Sequence, residues 1–192
     1  MHPAFTHPRY TLQRKFFSIA NQFRIFNPEG ELVMFTRQKM FKLREDIRIY
    51  EDESRSHELL LIDARQVIDF AAAYDVVDAV SGTHVGTLRR KGFSSVVRDR
   101  WQILDAGGQE IGGIEEDSLA LAMIRRVLLG SLLPQTYSVM IHGQPAAEFR
   151  QKFNLLRYVL EIDFSLSSSE EIDPRLGLAA AVLLAAIEGK QD

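Results

Sequence analysis

From residue 176 to residue 187 the chain carries no polar side chain. A helix that is apolar on every face has to be covered on every face. The flanks make this run a helix. Asp173 can cap free amide groups, Pro174 suits the first helical position, and Gly189 is a C-terminal stop. The expected element is Pro174–Glu188. The apolar run is about 20 Å long at ~1.5 Å rise per residue, short of the ~30 Å needed to cross a bilayer core. Five alanines and Gly177 keep it thin. A closed wall of strands satisfies such a helix. The alternatives are the centre of an ordinary α+β core, or a membrane anchor, against which the length and the missing basic flank both argue.

The rest of the chain supplies the strands. Phe23-Arg24-Ile25 leads into Asn27-Pro28-Glu29-Gly30 and then Leu32-Val33-Met34-Phe35. Proline followed by glycine two positions on is a turn with a mechanism: a fixed φ, then a residue tolerant of positive φ. The layout recurs at Ile47, Tyr74, Trp101 and Tyr137, each opening a short alternating run, a polar turn and a second run. Alternation with β-branched and aromatic residues is the strand signal. The first four anchors are about 24 to 27 residues apart, and the last gap is lengthened by an insertion near residues 118–130. One hairpin per unit is too little for a propeller blade, and an open sheet of ten to twelve strands leaves exposed edges. The expected fold is therefore mainly β: a closed antiparallel barrel of about twelve strands around a buried C-terminal helix.

This accounts for one domain, residues 9–192, after a short mobile tail at residues 1–8 that has no apolar segment of the signal-peptide kind. No run reaches ~18 apolar residues, so no transmembrane helix is expected. The other apolar stretch, residues 119–133, is interrupted by Arg125 and Arg126. Its flanks, Glu115-Glu116-Asp117-Ser118 and Gly130, predict a helix over residues 118–129 packed on the barrel as a lid. With no cysteine and a net charge of −3, disulfides and thiolate chemistry are excluded, and no global field favours nucleic acid. A cytoplasmic setting is expected.

The Lys-x-Phe strings (Lys15-Phe16-Phe17, Lys39-Met40-Phe41, Lys91-Gly92-Phe93), the closing stretch Tyr158-Val159-Leu160-Glu161-Ile162-Asp163-Phe164, and Asp173-Pro174-Arg175 opening an apolar helix resemble the Tubby C-terminal-like superfamily. Within it the chain is most similar to LURP-one-related and phospholipid-scramblase-like proteins. The resemblance covers roughly residues 10–190 and implies a twelve-stranded barrel around a helix. Its functional implications diverge: Tubby-like members bind phosphoinositides, scramblase-like members are linked to lipid movement and calcium, and many LURP-one-related members have no assigned activity. The Tubby phosphoinositide residues do not map onto positions here, so the lipid connection is one of analogy.

No constellation nominates a reaction, and neither a catalytic site nor a cofactor is expected. The five histidines lack metal-ligand spacing, no G-x-S-x-G elbow occurs, and Gly82-Thr83-His84-Val85-Gly86 reads as a hairpin turn rather than a phosphate loop. The Asp- and Ser-rich stretch at residues 163–173 departs from a calcium loop and reads as a linker. Basic residues are more informative. Lys15, Lys39, Arg65, Lys91 and Lys152 precede successive hairpins, and Arg89-Arg90-Lys91 form a cluster. In a barrel they should gather at one end as a cationic rim for anionic membrane lipid. The bland alternative is a solvated face paired with nearby carboxylates. The expected function is a non-enzymatic binding module, peripheral at a membrane. The alternatives are a soluble scaffold for a protein partner, or scramblase-like lipid transport.

Overall fold

The computed structural model describes residues 1–15, 21–38, 46–65, 72–90, 100–116, 135–154, 156–166 and 172–188. Among them twelve strands follow in chain order: β1 (Arg9–Lys15), β2 (Asn21–Phe26), β3 (Leu32–Gln38), β4 (Ile47–Tyr50), β5 (Glu58–Ala64), β6 (Ala73–Asp78), β7 (His84–Arg90), β8 (Arg100–Leu104), β9 (Glu110–Glu116), β10 (Thr136–Ile141), β11 (Gln144–Lys152) and β12 (Arg157–Asp163). The helix α1 spans Pro174–Glu188. Each strand pairs antiparallel with its neighbours in sequence, and β12 returns to β1 to close the barrel. The closing register sets Tyr10 opposite Ile162 and Leu12 opposite Leu160.

The repeated sequence unit is a repeated hairpin. Its anchors Phe23, Ile47, Tyr74, Trp101 and Tyr137 begin β2, β4, β6, β8 and β10 and all face the core, none more than 4% exposed. Two of the turns are built alike. Asn27 and Asp105 each accept an amide hydrogen bond on the side-chain oxygen, from Glu31 and Gln109. Gly30 and Gly108 then take the same φ of +83°, a conformation that L side chains rarely adopt. What recurs in the sequence is thus a turn chemistry as well as an alternation.

The helix lies inside. Every residue from 176 to 187 is buried. Asp173 caps it, accepting the Arg175 amide on Oδ1 at 2.9 Å, with its carbonyl taking the Leu176 and Gly177 amides. Six buried aliphatic side chains larger than alanine (Leu176, Leu178, Val182, Leu183, Leu184, Ile187) contribute on the order of 10 kcal/mol of transfer free energy. That is comparable to the net stability of a whole domain, so the wall cannot stand without its filling. Close approach needs small residues on the wall. At Gly86 of β7 an added Cβ meets the Leu104 carbonyl oxygen at 2.5 Å and a Leu176 methyl at 3.0 Å.

Residues 1–8, expected as a tail, hold a 3-10 turn at Pro3–Phe5 with Ala4 and Phe5 in the core. Tyr10 holds this turn in place: its hydroxyl donates to the Ala4 carbonyl at 2.9 Å and accepts from the His7 amide at 3.1 Å. Phe5 is the large apolar group of this segment, and burying it gives the turn its place. Burial pushes the Tyr10 phenol up to about 12. The lid helix expected at residues 118–129 lies outside the described residues.

Two outcomes follow from the packing. Ala180→Asp places an unpartnered charge beside the buried face of α1, costs several kcal/mol, and yields insoluble or non-cooperatively unfolding protein by circular dichroism. Gly86→Ala folds but loses about 1–3 kcal/mol in urea denaturation, because the backbone oxygen of Leu104 cannot step aside as a flexible side chain can.

Candidate functional site

Up-and-down topology sorts the chain's connections onto two rims. The turns after β2, β4, β6, β8 and β10 share one, here called the turn rim. Every odd-numbered strand ends at the opposite, far rim. α1 begins at the turn rim, where Arg175 donates from one guanidinium nitrogen to Asp78 Oδ2 at 2.7 Å and from Nε to Asp173 Oδ1 at 3.0 Å. Both partners of the Arg175–Asp78 pair are largely buried. Partial burial opposes ionisation of Asp78, but the Ser81 amide and the Arg175 guanidinium outweigh it and hold the carboxyl below its usual range. The latch fixes where the helix starts.

The two rims differ in charge. The five connections of the turn rim carry Glu29, Glu31, Glu51, Asp52, Glu53 and Asp105 against one guanidinium, Arg55. Among the described residues at the far rim, β1 ends on Lys15, β7 on Arg89-Arg90 and β11 on Lys152, Arg37 stands near the end of β3, Arg65 follows β5, and β8 and β12 open with Arg100 and Arg157, against the acids Asp46 before β4 and Glu115-Glu116 at the end of β9. The described residues among those proposed from the sequence, Lys15, Arg65, Arg89, Arg90 and Lys152, share one end, but in two arcs. Lys15 and Lys152 lie on β1 and β11, either side of β12; Arg65, just after β5, and Arg89-Arg90, on β7, lie across the barrel, either side of β6. Lys39 and Lys91 lie outside the described residues.

Some of these cations already have neighbours. Arg65 Nε donates to Asp75 at 2.5 Å, and Lys152 Nζ lies 3.0 Å from Glu161, with both basic side chains about half exposed at 53% and 45%. Exposed pairs of this kind are worth ~0–1 kcal/mol, comparable to the attraction of one cation to an anionic surface, so they do not sequester the charges. Three features lie outside the site residues assigned from the sequence, although Arg157 stands among the basic residues that crowd the second half of the chain. Arg157 is exposed at the far rim, its guanidinium reaching Gln13 at 3.1 Å. Arg14 is buried, stacked between the Phe23 and Tyr158 rings at 6.0 and 5.7 Å; only the alternation of β1 could have signalled it. The acidity of the opposing turns was visible in the sequence, but takes on meaning once the topology puts those turns together.

One cluster resembles catalytic machinery without its chemistry. His84 Nε2 lies 3.4 Å from Asp75 and 3.4 Å from the Thr87 hydroxyl. The hydroxyl donates instead to Asp75 at 2.6 Å, and Thr87 is only 2% exposed, so no nucleophile is presented. Among the described residues no three His, Cys, Asp or Glu side chains are placed to hold a metal ion, and no helix is long and apolar enough to cross a membrane.

A mainly β barrel closed around its C-terminal helix is the architecture of the Tubby-like C-terminal superfamily. The chain belongs to the LURP-one-related family of that superfamily, whose family model matches residues 32–185. Proteins of this group are generally non-enzymatic. None of the curated proteins matches the chain.

The outer wall also holds a strained set of carboxylates. Asp63 stands opposite Asp75 in the β5–β6 register. Its side-chain hydrogen bond with Asp46, together with partial burial and the Asp46 charge, raises its pKa. A raised folded pKa means a favourable contribution that is present below the ordinary value near ~3.9 and lost as pH rises through the folded value. The ionised pair is therefore a liability at neutral pH. Asp75, Asp78 and Asp163 run the other way: burial opposes their ionisation, but hydrogen bonds and neighbouring arginines outweigh it and lower their pKa values, so their contribution is lost as pH falls. Asp63→Asn is expected to raise the urea midpoint at pH 7, the gain closing as the buffer approaches pH 3.

Proposed function

We propose that this chain is a non-enzymatic binding module that docks its far rim on anionic phospholipid, peripheral to a membrane in the cytoplasm. The observation that carries the reading is the opposition of charge between the rims. A protein with net charge −3 is repelled by an anionic surface as a whole, but an end-to-end separation lets it approach basic end first. Arg89, Arg90, Lys91, Lys15, Lys39, Arg65 and Lys152 are the residues assigned to the contact. Each cation near the surface contributes on the order of 1 kcal/mol, screened within a Debye length of about 8–10 Å, so several must act together. Lipid transport through the barrel is disfavoured because α1 occupies the lumen. The second reading, a soluble scaffold for a protein partner, draws support from the carboxylate neighbours of Arg65 and Lys152.

Vesicle co-sedimentation tests this. Binding should rise with anionic lipid content and fall steeply with salt. The combined change Arg89→Ala, Arg90→Ala and Lys91→Ala should weaken it at least about tenfold, with the circular dichroism spectrum unchanged. Protein that ignores anionic vesicles even at low salt would overturn the lipid reading in favour of the scaffold.

A further inference from the structure

At the far rim the β11–β12 connection is described except for residue 155. It differs from the turns of the other rim in carrying two large exposed apolar residues. Phe153 is 56% exposed and Leu156 is 68% exposed, flanked by Lys152 at the end of β11 and Arg157 at the start of β12. The side chain of Asn154 shapes the turn: its Oδ1 accepts the amides of Leu156 and Arg157 at 2.9 and 3.0 Å. The two apolar groups are therefore presented by a hydrogen-bonded turn. The flanking cations reach sideways along the wall, Lys152 to Glu161 and Arg157 to Gln13, rather than folding over the apolar pair. The pairing of β1 with β12 also sets Lys15 opposite Arg157, bringing a third basic residue to the same edge.

We propose that Phe153 and Leu156 are the apolar anchor of the membrane contact. They enter the boundary between headgroups and acyl chains of an anionic bilayer, while Lys152 and Arg157 stay at the phosphates. The inference rests on the lipid reading above and adds which edge of the rim meets the bilayer and how deeply. Charge complementarity selects this occupant. The exposed apolar residues Val80 and Leu166 belong to the opposite rim, whose turns carry Glu29, Glu31, Glu51, Asp52, Glu53 and Asp105, surroundings that repel an anionic surface. The two described apolar side chains are also far short of the ~800 Å² that a standard protein partner covers on each side, whereas interfacial binding can combine a few inserted apolar groups with flanking cations.

The absence of cysteine makes a single label clean. In the full chain, Leu156→Cys carries an environment-sensitive fluorophore, with Val80→Cys as the turn-rim control. Vesicles of phosphatidylcholine with phosphatidylserine should shift the residue 156 probe to the blue, and nitroxide on the acyl chains should quench it, leaving the residue 80 probe unchanged. Phe153→Ser with Leu156→Ser should bind these vesicles about tenfold more weakly or worse while keeping the wild-type salt dependence. If the unmodified protein binds but the probe stays in water and the double variant binds equally well, the anchor is overturned and the electrostatic rim stands. If the unmodified protein does not bind at low salt, the lipid reading itself fails and takes the anchor with it. A probe already blue-shifted without vesicles means another protein copy covers the turn, which also overturns the anchor.

Discussion

The enclosure of an entirely apolar helix by strands is the interaction on which the rest of the structure depends, and it binds in both directions. α1 has no face that water can accept, and the inward residues of twelve strands enclose a space that side chains alone do not fill. Neither part is stable without the other, since the helix's buried side chains supply a transfer free energy as large as a typical net folding stability. The constraint reaches into small details. Gly86 is glycine because β7 must come within contact of both Leu176 and the Leu104 carbonyl, and Arg175 is clamped by Asp78 and Asp173 because the helix must start at one place on the rim.

A lumen filled in this way has consequences for function. The interior is committed to stability, which leaves the outer wall and the rims as the surfaces open to solvent. The wall is laced with cross-strand ion pairs such as Arg48–Glu58 and Arg65–Asp75, each of small net worth in solvent. The rims are where the chain separates its charges. Acidic groups, four of them glutamates that turn geometry does not require, sit in the short turns of one rim, and most of the basic groups sit at the other ends of the same strands. Membership of the LURP-one-related family accords with this closed architecture, and the rims are where its surface charge is most unevenly placed.

Much of this architecture was legible beforehand, for identifiable reasons. The helix was readable because its signals are local: Asp173, Pro174 and an unbroken apolar run. The hairpins were readable because period-two alternation and turn chemistry repeat, and Phe23, Ile47, Tyr74, Trp101 and Tyr137 stand at equivalent places in them. The role of β1 was not readable. It pairs with β12 across almost the whole chain, Leu12 against Leu160, and nothing in either strand's neighbourhood encodes so distant a register. Phe5 was missed for a related reason: a short segment rich in proline and histidine looks like a tail until Tyr10 is seen holding it.

The candidate site divides along the same line. The sequence by itself determined that basic residues recur before successive hairpins, and that a closed barrel must bring them to one end, because strand direction alternates whatever the side chains do. Tertiary structure alone decided that the described ones stand in two arcs, at the ends of β1 and β11 and across the barrel at the ends of β5 and β7. It also decided that Asp75 and Glu161 lie beside two of them, and that Phe153 and Leu156 remain in solvent between cations. Local chemistry sets which elements form. Register and closure, which depend on contacts between residues far apart in the chain, set which side chains meet.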